Sequence, residues 1–326
     1  MILTEAKRDK AEKKAQPHWM NPMLAKLTED YFSDPDWIYE RKLDGVRCLI
    51  FKEGKTVNLL SRNKKEQNHI YPELVDALEK QEHDFIADGE IVTFDGKITS
   101  FSKLQARMNV QKPTEDLIEK YPVWFYLFDC MYVDGYDISN LGNRERKSIL
   151  QKTIDFEKPL RYCSHVNEKG EAYHQEACEK GWEGVIAKKA DEPYRHSRSG
   201  KWLKFKCVHQ QELVIGGFTP PKGSREGFGA ILVGFYDGKV FHYAGKVGTG
   251  YSDEELRNLR EKFDKIEVKE KPFKEEVKEK NARWLKPKLV AEIGFTEWTN
   301  DNKLRHPRYL GLRKDKKAKD VVKEAP

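Results

Sequence analysis

The sequence contains few cysteines and no metal-binding motif built from them. Five cysteines are scattered over 326 residues, and no two of them form a Cys-x-x-Cys pair. This spacing argues against a disulfide framework and a zinc site, and it favours a reducing cytoplasm. The nine histidines show no metal-ligand spacing either. We therefore expect any bound metal to be a hard cation held by carboxylates and phosphates.

Membrane signals are also missing from the sequence. No apolar run approaches the ~20 residues that a membrane helix needs, and residues 1–14 lack the pattern of a secretory signal. Charged residues make up 35% of the chain, which fits a soluble globular protein that is long enough for two domains. The net charge of +6 is compatible with nucleic-acid binding but does not require it.

The predicted secondary structure of the chain changes near residue 207. Before it, hydrophobic periodicity predicts strands over 37–43, 46–51, 57–61, 85–93, 123–133 and 183–189, and helices over 74–78, 100–108, 143–151 and 172–180. Residues 1–17 are predicted to be a mobile charged arm or a frayed helix. After His209, strands are predicted over 212–218, 230–236, 240–246 and 289–296, with a helix capped by Ser252 and Glu255 and a basic tail. Several strands around one helix suggest a small barrel such as an OB-fold.

One lysine stands at the lip of a predicted tight turn. Asp44-Gly45 separates two predicted strands, and Lys42 shares a strand face with Glu40. A lysine placed between cations and a phosphate site can lose its proton and become a nucleophile, although free lysine titrates near pH ~10.4. The alternative interpretation is a solvated hairpin with a common Asp-Gly turn.

Carboxylates also interrupt two apolar strands. Asp88 and Glu90 share the face of one strand, where a ribose hydroxyl or a metal would satisfy them, and a solvated strand end is the alternative. Glu183 opens the second strand. Further along, Lys204 and Lys206 alternate onto one face, where an anion between them would relieve their repulsion. A solvent-exposed edge strand with a basic face explains the two lysines equally well.

An aromatic stripe marks one face of the predicted strand 123–133. Trp124, Tyr126 and Phe128 alternate along it. Such a stripe usually belongs to a core, but one ring could instead stack on a purine.

These motifs occur in one order from Pro22 to Lys316, and that order resembles the ATP-dependent DNA ligases of the covalent nucleotidyltransferase superfamily. The resemblance implies an α+β fold, with a mixed-sheet nucleotidyltransferase (adenylation) domain over 21–207. It also implies an all-β OB-fold domain over 208–326 with a basic C-terminal tail, preceded by the charged arm over 1–20. ATP and Mg²⁺ or Mn²⁺ would be the cofactors.

The resemblance assigns roles residue by residue. Lys42 matches the adenylylated nucleophile and Glu183 a metal ligand, while Arg62 matches an arginine that contacts substrate phosphate. Glu90 would bind the ribose, and Phe128 would stack on adenine. The catalytic set implied is Lys42, Arg47, Lys204 and Lys206, and the nucleotide-binding set implied is Glu40, Lys42, Arg47, Arg62, Glu90, Phe128, Glu183, Lys204, Lys206, Arg313 and Lys316.

Three further segments resemble the ligase module of end-joining ligases of the ligase D type. They span 223–230, 243–250 and 304–307. They favour a DNA ligase over an RNA ligase or a capping enzyme. We expect a monomer that seals nicked or broken duplex DNA in a prokaryotic cytoplasm, at the nucleoid and away from membranes. We expect Ku and a repair polymerase as partners, and we expect the polymerase and phosphoesterase modules often fused to this ligase to be absent.

The implied chemistry starts with attack by neutral Lys42 on the α-phosphate of ATP. Neighbouring cations would depress the pKa of Lys42, and Arg313 and Lys316 would bind the β- and γ-phosphates when the OB domain closes. An RNA ligase or a GTP-using capping enzyme shares the Lys-x-Asp-Gly-x-Arg core, and a non-catalytic nucleic-acid-binding module is an alternative from a different class.

Overall fold

The chain divides into two compact units, Met1–Cys207 and Val208–Ala325. The computed structural model of the protein describes residues 2–108, 110–207, 209–221, 226–295 and 297–324. The beginning of the predicted 223–230 segment and the end of the predicted strand 289–296 therefore lie outside the described residues.

Short strands dominate the first unit, and its helices pack around them. The helices are α1 (Glu5–Arg8), α2 (Pro72–Glu79), α3 (Phe101–Met108), α4 (Glu115–Lys120), α5 (Asn143–Thr153) and α6 (Gly170–Glu179). The strands are β1 (Glu12–Lys13), β2 (Leu24–Leu27), β3 (Trp37–Lys42), β4 (Val46–Glu53), β5 (Thr56–Ser61), β6 (Phe85–Val92), β7 (Phe94–Asp95), β8 (Ile98–Thr99), β9 (Trp124–Val133), β10 (Tyr136–Asp137), β11 (Leu160–Tyr162), β12 (His165–Asn167), β13 (Gly184–Lys189) and β14 (Arg198–Lys206).

Two larger sheets face each other in this unit. A seven-stranded sheet has the order β1-β10-β9-β6-β4-β5 with β11 beside β9, and a five-stranded sheet has the order β12-β3-β13-β14-β2. Leu49 and Phe51 of the first sheet share an apolar cluster with Trp202 of the second. The opposite face of the five-stranded sheet, with Val185 and Phe205, forms a separate cluster with Ala177 of α6. Alternation along each strand thus gives each sheet one face toward the other sheet.

The elements described in the second unit are β15 (His209–Thr219), β16 (Ala230–Asp237), β17 (Val240–Val247), α7 (Asp253–Asp264), β18 (Glu267–Val268), β19 (Arg283–Phe295), β20 (Glu297–Trp298), β21 (Leu304–Arg305), β22 (Arg308–Arg313) and a 3-10 helix (Ala318–Asp320). A six-stranded sheet has the order β17-β16-β15-β19-β18, with β22 beside β19, and β20 pairs with β21. Helix α7 begins with the predicted capping box, in which the Ser252 and Glu255 side chains bond reciprocally to backbone N–H groups.

Most of the predicted elements are confirmed within one or two residues. The strand prediction over 37–43 corresponds to β3, the prediction over 123–133 to β9, and the helix prediction over 143–151 to α5. The α+β class is confirmed as well. None of the described helices is long and apolar enough to cross a membrane.

The N-terminal arm is packed onto the first unit, which differs from the expectation of a mobile segment. Leu3 is 3% exposed within the main apolar cluster, and Glu12 and Lys13 pair with β10. Lys14 Nζ lies 2.7 Å from Asp137 Oδ2. A charged segment with one apolar anchor has no periodicity to reveal that it packs, which is why the sequence pattern was misleading.

The predicted strand 289–296 is not the last one, because β22 follows it and extends the sheet of the second unit by pairing with β19. Strand β19 itself begins at Arg283, six residues before the predicted start at Leu289. Its register against β15 shifts between Leu289 and Trp284. Pro287 lies in that shifted stretch. Its nitrogen carries no hydrogen to donate, and the shift spares it from pairing with a neighbouring strand.

The sequence argues against a disulfide framework, and the structure contains a disulfide bond that the spacing does not predict. Cys178 and Cys207 are joined, with their Cα atoms 5.1 Å apart. Packing of α6 against the end of β14 brings together two residues that are 29 apart in sequence, and short-range spacing does not contain that information. Cys48, Cys130 and Cys163 are free and buried.

Candidate active site

Three adjacent strands bring the predicted lysines onto one face of the five-stranded sheet. Gly184 of β13 lies opposite Lys42 of β3 on one side and Lys206 of β14 on the other. Two residues further along, Ile186 lies between Glu40 and Lys204. Residues opposite each other in a ladder share a face. The strand pairing therefore unites in one patch residues that are more than 160 positions apart in sequence.

The Lys42 ammonium group forms an ion pair with the Glu183 carboxylate. Burial opposes the charged form of Lys42, but the carboxylates of Glu183, Asp44 and Glu90 outweigh it, so the pKa of Lys42 is raised. The expectation of a depressed pKa is therefore wrong for this state of the protein. The groups that act most strongly on Lys42 are acids, and the sequence order did not reveal that they surround it.

Arg47 is held by Asp88, which is itself completely buried. Arg47 Nε lies 2.5 Å from Asp88 Oδ1, and the Tyr194 hydroxyl donates to Asp88 Oδ2 at 2.5 Å. The Arg47 guanidinium carbon lies 4.6 Å from the centre of the Phe128 ring. The solvated strand end is thus wrong for Asp88, whose partners are Arg47 and Tyr194. Glu90 lies opposite Arg47 in the neighbouring strand and is half-buried.

Glu40 is 2% exposed and lies between two buried lysines. Its carboxylate oxygens are 2.5 Å from Lys147 Nζ and 2.7 Å from Lys188 Nζ. Burial, together with repulsion from Lys147, lowers the pKa of Lys188 despite the attraction of Glu40. Lys188 Nζ also lies 4.3 Å from the centre of the Phe128 ring. The predicted Glu40 and Phe128 are therefore connected through a lysine pair that carries positive charge into the interior.

Arg62 belongs to the first unit, and the two basic residues of the C-terminal motif belong to the second. Arg62 is half-buried in the turn after β5. In the second unit, Arg313 makes two hydrogen bonds of 2.9 Å to Asp315, and Lys316 Nζ lies 2.7 Å from Glu212. Burial disfavours charge on Arg313, but Asp315 outweighs this and raises its pKa.

The donor set around Lys42 fits a hard divalent cation. The carboxylates of Glu183, Asp44 and Glu90 are close enough to act electrostatically on the Lys42 ammonium. Oxygen donors of this kind suit Mg²⁺ and Mn²⁺, whereas Zn²⁺ prefers nitrogen and sulphur. Glu183 and the acids beside it are therefore the residues that would hold the metal that the resemblance implies.

Lys147 and Tyr194 are the site residues that sequence reasoning missed. Each contacts a residue more than 100 positions away, Lys147 at Glu40 and Tyr194 at Asp88. No local pattern marks either residue, since Lys147 lies on a helix rich in charged residues and Tyr194 lies in a loop. Lys188 was missed as well, although it lies in the strand that Glu183 precedes.

Gly184 is a position where we expect a side chain to disturb the site. Its φ is +148°, and a Cβ there would lie 2.0 Å from the carbonyl oxygen of Phe205. Gly184→Ala should therefore lower the free energy of unfolding by about 1–3 kcal/mol, measured in urea. Gly200→Ala in β14 is the matched control, because nothing lies within 4 Å of its Cβ position. Equal unfolding midpoints for the two variants would contradict this account of the strand packing.

Two family models match the chain. The model described as ATP dependent DNA ligase domain matches residues 22–206, and the model described as ATP dependent DNA ligase C terminal region matches residues 224–316. The first match covers more than half of the chain and contains every predicted site residue of the first unit. Arg313 and Lys316 lie within the second match.

Among curated proteins, the chain is similar to the multifunctional non-homologous end joining protein LigD of Pseudomonas aeruginosa. The two are 33% identical over 333 residues, which cover 98% of this chain and 39% of that protein. It is also 32% identical to the probable DNA ligase of Dictyoglomus turgidum, covering 87% of this chain and 54% of that protein. The chain thus spans about two fifths of the length of the first of these relatives.

Among solved structures, the chain is similar to a mycobacterial DNA ligase D complexed with ATP and MES. The TM-score is 0.67 at 32% sequence identity, and the match covers 94% of this chain and 98% of that one. The predicted combination of a nucleotidyltransferase domain and an OB-fold domain is confirmed by these matches.

Proposed function

Because the chain belongs to the ATP-dependent DNA ligase family, we propose that it seals 5′-phosphate/3′-hydroxyl breaks in duplex DNA with Lys42 as the residue that carries AMP. The observation that supports this most directly is the lysine patch, in which Lys42 and Lys206 flank Gly184 and Lys42 contacts Glu183. A nucleophilic amine beside phosphate-binding cations is what transfer of a nucleotidyl group requires.

In the first step, Lys42 Nζ forms a bond to the α-phosphorus of ATP while the bond to pyrophosphate breaks. Lys42 must first release a proton to water, although its carboxylate neighbours favour the charged amine. Mg²⁺ or Mn²⁺ held by Glu183, with Asp44 and Glu90 nearby, would supply positive charge against the phosphate oxygens. Lys204 and Lys206 lie on the same sheet face and would bind those oxygens as the pentavalent geometry develops.

In the second and third steps, DNA replaces pyrophosphate as the partner of the nucleotide. A 5′-phosphate oxygen at the break attacks the same phosphorus and frees Lys42, and the 3′-hydroxyl then displaces AMP as the new phosphodiester forms. Arg47 is held by Asp88, which in turn accepts a hydrogen bond from Tyr194, so Arg47 presents a fixed cation to these phosphates. Fixed donors cost little reorganisation in the transition state.

We further infer that the breaks are repaired by end joining, in the cytoplasm of a prokaryote and on nucleoid DNA. The similarity to a protein named for non-homologous end joining supports this pathway. The same similarity makes a Ku protein and a repair polymerase reasonable partners.

The experiment that tests this function is an adduct assay followed by a DNA chase. The protein is incubated with Mg²⁺ and ATP labelled on the α-phosphate, freed of nucleotide, and then mixed with nicked duplex DNA. We expect labelled protein first, and then loss of that label together with sealed DNA. A labelled protein that never discharges to DNA would contradict the ligase function.

A substrate comparison separates the proposed ligase from its close alternatives. GTP in place of ATP tests a capping activity, and a nicked RNA duplex tests an RNA ligase. Blunt and cohesive DNA ends with and without Ku test the end-joining role. Stronger sealing of RNA than of DNA, or adduct formation with GTP alone, would refute the assignment.

A further inference from the structure

Two cysteines and one histidine lie together on the opposite face of the five-stranded sheet from Lys42. His174 and Cys178 are four residues apart on α6, and Cys207 directly follows β14. One donor atom of each residue lies within 4.8 Å of the donor atoms of the other two. We call His174, Cys178 and Cys207 the thiol cluster. Ligation as described above does not use it.

We propose that the thiol cluster, in its reduced form, binds a zinc ion through the His174 imidazole and the sulphurs of Cys178 and Cys207. Two thiolates and an imidazole are a donor set that selects Zn²⁺ over Mg²⁺. Tetrahedral zinc with Zn–S of ~2.3 Å and Zn–N of ~2.0 Å places sulphur and nitrogen ligands about 3.5 Å apart. Cys178 Sγ lies 3.5 Å from His174 Nε2, which matches that spacing, and the same nitrogen would exchange its contact with the Lys206 carbonyl oxygen at 3.4 Å for the metal.

The surroundings fix two of the three donors in place. The His174 ring packs on Tyr31 with 4.0 Å between ring centres, and it shares a helix face with Cys178 because the two are one turn apart. The backbone N–H of Cys207 donates to the carbonyl oxygen of Glu183 at 3.0 Å. A donor set held in this way loses little freedom when a metal binds.

Access also favours a metal. Cys178 lies at the surface, which gives an ion an entry path.

The disulfide and the metal are alternative states of the same two sulphurs. The thiolate is the metal-binding form of cysteine, and the disulfide between Cys178 and Cys207 removes both thiolates. A peroxide would convert one state into the other. One hydrogen peroxide and two protons become two water molecules, the two thiolates lose two electrons to form the sulphur–sulphur bond, and Zn²⁺ leaves. Because the chain supplies three ligands, a water molecule would occupy the fourth position of the tetrahedral zinc ion.

Cobalt titration of the reduced full chain tests the site. Co²⁺ takes the same ligands as Zn²⁺ and reports them by colour. After treatment with a phosphine reductant and removal of metal without oxygen, we expect a saturable sulphur-to-cobalt charge-transfer band at a ratio of one ion per chain. Zn²⁺ should displace the cobalt and abolish the band. Hydrogen peroxide added to the zinc-loaded protein should release the ion to a colorimetric indicator.

Matched variants locate the ligands. Cys178→Ser and Cys207→Ser should each lose the charge-transfer band, and His174→Ala should weaken the binding of cobalt. His18→Ala at an exposed position and Cys130→Ala in the core should keep both the charge-transfer band and the binding of cobalt. Circular dichroism checks the fold, and Cys178→Ser gives the safest reading because its side chain is at the surface. No band in the reduced wild type, or a band that survives in the Cys178→Ser variant, would overturn the proposal.

Discussion

Replacing Lys42 with alanine should abolish the covalent protein–AMP adduct. Lys42 Nζ is the amine at the centre of the lysine patch, and no other side chain is expected to take over its bond to phosphorus. The alanine variant removes the positive partner of Glu183 as well as the nucleophile. Lys42→Arg keeps a cation there but cannot supply a lysine amine, so it should also give no adduct. Labelled ATP followed by a denaturing gel measures the result, and we expect a signal at background level in both variants.

An exposed lysine of the same sheet provides the control. Lys26 lies in β2 of the same sheet and is exposed, so Lys26→Ala should form the adduct like the wild type. Pre-adenylylated nicked DNA separates loss of the nucleophile from general damage, because its sealing does not need a protein–AMP bond. A labelled Lys42→Arg protein would contradict the assignment of Lys42 as the nucleophile. Mass spectrometry that locates AMP on another residue would contradict it as well.

The second large effect concerns stability, at the buried pair of Asp129 and Arg146. Both side chains have 0% exposure, and Asp129 accepts from Arg146 Nε at 2.7 Å and from Asn143 at 3.0 Å. Removing one partner of such a pair leaves an uncompensated buried charge. We therefore expect Asp129→Asn to lower the free energy of unfolding by about 3–5 kcal/mol, measured by urea unfolding of the full chain. The first unit should lose most of this stability, since the pair lies within it.

The same carboxylate predicts a dependence on pH. Burial opposes the ionised form of Asp129, but Arg146 and the nearby Lys188 and Lys147 outweigh it and lower the pKa. A lowered pKa gives stability that is present above the unfolded value of ~3.9 and is lost as pH falls through the folded pKa. The wild type should therefore lose more stability than the Asp129→Asn variant as the solution becomes acidic.

Two controls make the stability prediction specific. Asp155→Asn changes an exposed carboxylate and should leave the unfolding free energy nearly unchanged. The double variant Asp129→Leu with Arg146→Met removes both charges of the pair and should recover part of the loss, because neither member is left without the other. An Asp129→Asn variant as stable as Asp155→Asn would contradict the role assigned to the pair.

Local patterns were sufficient to predict the strands and helices that carry the site. Alternation predicted β3 and β9, and capping spacing predicted the start of α7, because each signal comes from residues only a few positions apart. The motif order was enough for the family, which the comparisons confirm. What could not be predicted depends on partners that are distant in sequence. The ion pair of Lys147 with Glu40 joins residues 107 positions apart.

The environment of Lys42 shows the same limit in chemical terms. Motif residues indicated that cations surround the amine, whereas the nearest partner is the carboxylate of Glu183. Which charge dominates a pKa depends on distances of a few ångströms. Those distances follow from the register of β3 against β13, and a motif carries no register.

The docking of residues 2–20 has a practical consequence for anyone who shortens the protein. Strand β1 covers β10 at the border of the seven-stranded sheet, and Leu3 fills part of the main core. Removing this segment would expose unsatisfied backbone groups of β10 and would leave a cavity in the apolar core. An exposed edge strand is a template for pairing with other chains. The shortened enzyme would therefore tend to aggregate, for reasons unrelated to its chemistry.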